Sequence, residues 1–299
     1  MKHITIDPSF FVTEGFGTLM SHYASMYCIY RDCGFIPTIL TPPKQIQTTL
    51  DYFNHSFISS KEFIYNHLSA FPNLNKIFCT IDKDQLSLTR WQKIQCLTSD
   101  YNKIINSLQN INDNICLNWN LTQDLYKKYL NDIINNLYEF NKDLVDQCQK
   151  ILPQTQKTIV GVCFRNEYNE SFCRHPHASL SLKFYKESMN RFDKNNTKYL
   201  IFSDNIEQSK VFFKALEENF DIEYTSAMQS AVGLCTMSLC DHIICANSSF
   251  SYWAAMLNKK ANKQIICSTY FINPMKNSSL AKLLNFKWYP NTWLALDIL

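Results

Sequence analysis

The 299-residue chain is 46% hydrophobic and 18% charged, enough apolar content to bury a core and too much for intrinsic disorder. Its formal net charge of +3 leaves no basic footprint of the kind nucleic acid requires. The length suits one large or two modest domains.

In chain order, a β-α-β unit comes first. A short strand near Ile4 or at Phe10–Val12 leads to the turn Glu14-Gly15-Phe16-Gly17-Thr18. A helix follows, with Leu19, Tyr23, Met26, Tyr27 and Tyr30 at three- and four-residue spacing. Cys33-Gly34 stops it, Ile36–Leu40 reads as the second strand, and Thr41-Pro42-Pro43 breaks the pattern. Between Gln45 and Asn120 the periodicity is weak, with helical pieces predicted at Lys61–Leu68 and Trp91–Leu108. Leu121–Ile151 reads as one long helix, with Leu125, Tyr129, Ile133, Leu137, Leu144 and Cys148 recurring on one side. Leu152-Pro153 ends it, which puts the expected domains at 1–152 and 153–299.

The second half alternates cleanly between apolar strands and helical segments. Strand Thr158–Phe164 precedes helix Leu182–Phe192, strand Lys198–Phe202 precedes helix Ile206–Asn219, and strand Ile222–Tyr224 precedes helix Ser230–Leu239. Strand His242–Cys245, helix Ser249–Asn258 and strand Gln264–Cys267 complete the series. Such alternation predicts an α/β fold with a parallel, doubly wound sheet, which binds ligands beyond the carboxyl ends of its strands.

Three loops occupy those ends. In Ala246-Asn247-Ser248-Ser249-Phe250-Ser251, hydroxyls and the positive end of a helix dipole converge where a phosphate or diphosphate would sit; simple helix capping by Asn and Ser is the competing account. In Ser203-Asp204-Asn205 a carboxylate follows a strand, placed to meet a base or ribose or to cap the next helix. In Phe164-Arg165-Asn166-Glu167, an arginine at the mouth of the sheet either binds diphosphate through its planar fork or is a surface charge. At the N-terminus, Gly15-Phe16-Gly17 before a helix offers a close backbone approach to a ligand, on a weak motif.

Other features point away from metals and membranes. None of the 12 cysteines forms a C-x-x-C, and Cys235, Cys240 and Cys245 are split between a helix and the next strand, so packed free thiols are expected. The N-terminal residues lack the apolar core of a signal peptide, and the most apolar stretch, Ala231–Ala246, is broken by Ser238, Asp241 and His242. A cytoplasmic protein without a transmembrane segment is expected. The N-x-[ST] sequons at Asn54, Asn120, Asn169, Asn195, Asn247 and Asn277 are ascribed to chance in an Asn-rich chain.

Taken in order, these blocks resemble glycosyltransferase family 11, the α-1,2-fucosyltransferases, and more distantly the α-1,6- and protein O-fucosyltransferases. The strongest block, Met237-Ser238-Leu239-Cys240-Asp241-His242-Ile243-Ile244-Cys245-Ala246-Asn247-Ser248-Ser249-Phe250-Ser251-Tyr252-Trp253, is similar to the family's M-S-x-C-x-H-x-I-x-A-N-S-[ST]-F-S-W-W, with Tyr252 for the first Trp. Tyr199–Glu207 resembles F-x-I-F-S-D-D, Glu14–Ala24 resembles G-G-L-G-N-Q-M-x-x-Y-A, and Tyr289-Pro290-Asn291-Thr292-Trp293 resembles a closing Y-P-x-x-W. The family's H-x-R-R-x-D block is represented by Cys163-Phe164-Arg165-Asn166-Glu167-Tyr168, where one arginine stands for two in either register.

The resemblance implies a GT-B-like enzyme of two Rossmann-like domains, the C-terminal one binding GDP-fucose and the N-terminal one serving the glycan acceptor. It implies inverting transfer to a sugar hydroxyl with no metal or other cofactor. Arg165 is implied to hold the diphosphate. Glu167 is the candidate base in one register. Gly15, Gly17, Ser203, Asp204, Asn247, Ser248, Ser249, Phe250 and Ser251 are the implied donor-binding residues, and Trp119 either stacks on a sugar or packs in a core. Three alternatives stand beside this: another NDP-deoxysugar donor, a catalytically eroded nucleotide- or glycan-binding descendant, and a metal-dependent enzyme using Asp82-Lys83-Asp84.

Overall fold

The computed structural model describes residues 2–6, 15–41, 68–82, 91–96, 101–119, 126–165, 180–225, 230–271 and 289–297. The predicted strand Phe10–Val12, most of the predicted helix Lys61–Leu68, and Lys83, Asp84 and Glu167 lie outside these residues. The chain divides into two compact units, 1–141 and 142–299.

In the first unit, β1 (His3–Ile6), α1 (Phe16–Cys33) and β2 (Ile36–Thr41) form the expected β-α-β start. Nearly every face of α1 is buried as far as Ile29: Leu19, Met20, Tyr23 and Met26 pack with the polar Ser21, His22 and Ser25, so burial is not confined to one stripe. Gly34 ends it with φ at 73°, a left-handed conformation that suits a residue without Cβ, and its N–H bonds to the Tyr30 carbonyl at 2.9 Å. Strands β3 (Cys79–Asp82), β4 (Trp91–Cys96) and β5 (Asn114–Trp119) complete a parallel sheet in the order β3-β2-β1-β5-β4, with α2 (Tyr101–Gln109) between β4 and β5.

Two predictions in this unit need correction. Trp91–Leu108 is not one helical piece: Trp91–Cys96 pairs residue for residue with Asn114–Trp119, and the helix starts only at Tyr101. The periodicity of this stretch is weak, and long-range pairing with β5 decides the outcome. The long helix Leu121–Ile151 is likewise broken. A composite of 3-10, α and π turns covers Lys127–Leu137, and α3 (Lys142–Ile151) begins afresh. The break follows from Tyr138, whose hydroxyl donates to the Met20 carbonyl and whose ring lies 5.0 Å from Phe71. Asn141 then bonds to the Ala70 carbonyl at 2.8 Å. Up to that point the chain belongs to the first compact unit, while α3 belongs to the second, so the two compact units part at Asn141/Lys142.

The second unit follows the predicted alternation closely. It holds β6 (Thr158–Phe164), α4 (Leu182–Met189), β7 (Thr197–Ser203), α5 (Ile206–Phe213), β8 (Asp221–Tyr224), α6 (Ser230–Leu239), β9 (His242–Ile244), α7 (Ser249–Leu257) and β10 (Ile265–Ser268). One further strand, β11 (Leu294–Leu296), was not foreseen and pairs with β10. All six strands run parallel in the order β11-β10-β9-β6-β7-β8. The core beneath them includes Val160, Val162, Phe184, Tyr185, Tyr199, Ile201 and Phe213. Gly161 is a point of close approach: a Cβ there would meet the Cys240 Sγ at 3.0 Å.

Candidate active site

In the second sheet the chain builds outward from β6 in one direction through β7 and β8, then returns to build from β9 in the other. The reversal lies between β6 and β9, where Gly161 pairs with Ile243 and Val162 with Ile244. In doubly wound sheets the helices on either side of such a reversal diverge and leave a crevice at the carboxyl ends. Arg165 follows the end of β6 and is exposed, and the 245–251 loop follows the end of β9.

Ser248 is the N-cap of α7, its backbone extended and its Oγ accepting the Phe250 N–H at 3.2 Å. Capping thus accounts for this hydroxyl. The positive end of the helix dipole still lies at the carboxyl end of β9, with Ser249 and Phe250 half-buried in its first turn. Ser251 is fully buried, and its hydroxyl is placed to donate to the Ala246 carbonyl at 2.9 Å or the Ser248 carbonyl at 3.1 Å. Asn247 is also buried. Its Nδ2 donates to the Tyr270 carbonyl at 2.9 Å, and its Oδ1 lies 3.2 Å from the Tyr289 hydroxyl. Asn247 and Ser251 therefore shape the loop from within, and Ser249 and Phe250 form its partly open edge.

Beside β6, Phe164 pairs with Ser203, so Arg165 and Asp204 follow neighbouring strand ends. Ser203 closes a local turn by bonding both to and from the Asn205 backbone at 3.0 Å. The cap of α5 is Asn205, which accepts the Gln208 N–H at 3.1 Å; Asp204, the other candidate for that task, is exposed. Burial pushes the Cys163 thiol up to about 12. Cys245 and Cys267, at the corresponding ends of β9 and β10, are also raised by burial, Cys267 to about 12. Three thiols thus form part of the floor under the loop. Tyr289 joins them: its phenol is held well above the usual range, chiefly by burial.

The remaining predicted residues fall elsewhere. Gly15 is the exposed N-cap of α1, with nothing within 4 Å of where its Cβ would be, and Gly17 is buried in that helix's first turn; both belong to the first unit. Asp82 is the last residue of β3 and Trp119 the last of β5. Among the described residues there is no group of three His, Cys, Asp or Glu suited to a metal ion, and no helix is long and apolar enough to cross a membrane. Tyr289 was visible beforehand only as part of the Y-P-x-x-W resemblance, because its partners lie more than 40 residues away in sequence.

Residues 95–289 match the family model described as Glycosyl transferase family 11. The chain belongs to this family. The family 11 match takes in Arg165, Asp204, the 245–251 loop and Tyr289. Among proteins, the chain is 24% identical over 148 residues to the O-antigen biosynthesis glycosyltransferase WbnK of Escherichia coli, covering 45% of this chain and 48% of that protein. The alignment thus spans about half the length of that relative. Among solved structures, the fucosyltransferase NodZ from Bradyrhizobium is similar at a TM-score of 0.51 and 12% identity, covering 86% of this chain and 93% of that one. A structure of POFUT1 in complex with GDP is similar at a TM-score of 0.48 and 12% identity, over 88% and 98% of the two chains. The family 11 fold here is α/β and GT-B-like, with two parallel-sheet units.

Proposed function

We propose that this family 11 member transfers fucose from GDP-fucose to a sugar hydroxyl of a glycan acceptor, with inversion at the anomeric carbon and without a metal ion or other cofactor. One observation carries the reading: an arginine and a helix N-terminus flank the reversal between β6 and β9. An anion held there meets a guanidinium on one side and the α7 dipole on the other. The family membership and the fucosyltransferase name of the NodZ structure support the choice of sugar.

In this mechanism, Arg165 and the first turn of α7, at Ser249 and Phe250, hold the diphosphate. Asp204, one strand over, engages the guanine or ribose. As the bond from the anomeric carbon to the diphosphate breaks, negative charge gathers on the leaving oxygen, and the same cationic groups stabilise it. The acceptor hydroxyl attacks from the opposite face and gives up its proton; Glu167 is the proposed recipient. The transfer takes place in the cytoplasm on this reading.

The test is isothermal titration of the full chain with GDP and with UDP, both in EDTA, repeated on Arg165→Ala. Micromolar GDP binding with no UDP binding, weakened about tenfold to a hundredfold in the variant, is the expected result; a charge-assisted hydrogen bond carries that order of effect. Failure to bind either nucleotide sinks the transferase reading. A second reading, nucleotide binding without turnover, is favoured by the single arginine at 165 where the family block has two. GDP binding with no GDP release from GDP-fucose across a panel of glycan acceptors would decide for it.

A further inference from the structure

The closing Tyr289-Pro290-Asn291-Thr292-Trp293 block has a physical task that its position in sequence conceals. The Tyr289 hydroxyl lies 3.2 Å from both the Ala246 carbonyl and the Asn247 Oδ1, so its single proton serves the backbone and the side chain of adjacent loop residues. The Ala246 carbonyl is also approached by the Ser251 hydroxyl at 2.9 Å and the Ser248 N–H at 2.8 Å. From another side, Asn247 is tied to the Tyr270 carbonyl.

The phenol is held by its ring. Trp293 lies 5.5 Å from Tyr289 and 5.7 Å from Tyr252 on α7, and Phe271 lies 6.0 Å from Tyr289 on another side. The segment turns back at Pro290, whose carbonyl accepts the Trp293 N–H at 3.0 Å, and then enters β11. A strap about five residues long thus links the loop, the first helix turns behind it and the edge of the sheet.

We infer that Tyr289 is a positioning residue of the donor site: its hydroxyl fixes the 246–248 backbone so that the N–H groups opening α7 point at the diphosphate, and Trp293 backs it. This rests on the reading of that loop as the diphosphate site. Preorganised donors bind an anion without the cost of being ordered first, so a loosened loop loses affinity for phosphate and not for the base.

Tyr289→Phe removes one oxygen and keeps the ring. Tyr199→Phe is the matched control, since the buried Tyr199 hydroxyl donates to a carbonyl, that of Met189 at 2.7 Å, within the same unit. GDP and guanosine are titrated into the full-length wild type and both variants, and each is melted. The expected result for Tyr289→Phe is GDP binding about five- to tenfold weaker with guanosine changed less than about twofold, while Tyr199→Phe leaves both unchanged at a similar loss in Tm. Unchanged GDP affinity in Tyr289→Phe, or equal losses in the two variants, overturns the inference while wild-type GDP binding still upholds the donor site. A wild type that binds no GDP overturns both together. Should Tyr289→Phe fail to fold, Trp293→Phe loosens the backing alone and is expected to weaken GDP about twofold; no change overturns the inference.

Discussion

His22 sits in the middle of α1, fully buried, and burial holds its pKa down at about 3. In the unfolded chain an imidazole takes a proton near pH ~6.5. Below that value the unfolded state binds a proton that the folded state refuses, so stability is present at neutral pH and falls as the solution is acidified. The slope is about 1.4 kcal/mol per pH unit, or about 2 kcal/mol by pH ~5, continuing until about 3. His3 and His242 are lowered by burial too and add in the same direction. The lowered carboxylates, Asp32 and Asp132 among them, act only in a more acidic window. Urea denaturation at pH 7 and pH 5 is expected to show this loss in the wild type and a shallower one in His22→Gln; identical slopes would remove His22 as the cause. Residue identities at the site were legible to different depths. Capping by Ser248 was one of the two accounts its residue type allowed, because capping is a local bond. The division of labour between Asp204 and Asn205 was not legible, since both are good caps and only the backbone turn at Ser203 decides which one faces the helix.

Between elements, β6 comes close to α6 and the residue that follows it. Gly161 faces Cys240 and Met237, both without solvent exposure, so a methyl group has no room to displace them. Gly161→Ala is expected to cost about 1–3 kcal/mol in chemical denaturation. Adding Cys240→Ala, which removes the sulfur at 3.0 Å, should return part of that loss as a favourable coupling. Strict additivity of the two substitutions would count against the clash. The same scale explains where sequence patterns succeed. Strands β6, β7 and β9 are runs of Ile, Val, Leu and Phe bounded by polar loops, and such runs declare themselves. Trp91–Cys96 does not: its residues carry no clear period, and its strand character comes from β5, about twenty residues on. Leu121–Ile151 misleads for a related reason. Each half has helical spacing, but Tyr138 and Asn141 are committed to contacts with Met20 and Ala70 that no local pattern announces.

Over the whole chain, the two parallel sheets with separate cores make the position of the boundary testable. A fragment from Lys142 keeps α3, whose fully buried Cys148 sits with its sulfur 3.5 Å from the Val232 carbonyl on α6. A fragment from Pro153 lacks that helix and bares the α6 face it covers. The longer fragment is expected to melt cooperatively, about 5–10 °C above the shorter one, because uncovering a packed helix face costs a few kcal/mol in a unit of this size. Equal melting temperatures would return the boundary to the end of α3. The second unit was legible from sequence because strand-helix alternation has a fixed parallel solution. Sequence alone set Arg165 and the 245–251 segment at strand ends; that β6 and β9 are neighbours, with the reversal between them, became visible only once strand order was known.

The three thiols at the ends of β6, β9 and β10 give the crevice a built-in clock. Alkylating reagents attack the thiolate, and Cys163, Cys245 and Cys267 are shielded, with proton affinities raised by burial. Iodoacetamide can reach them only during moments when the layer above lifts, so the pace at which peptides bearing these cysteines gain mass measures how often that layer opens. If GDP binds as proposed, it is expected to hold the layer shut and slow the clock, and the slowing would read occupancy without any acceptor sugar being known.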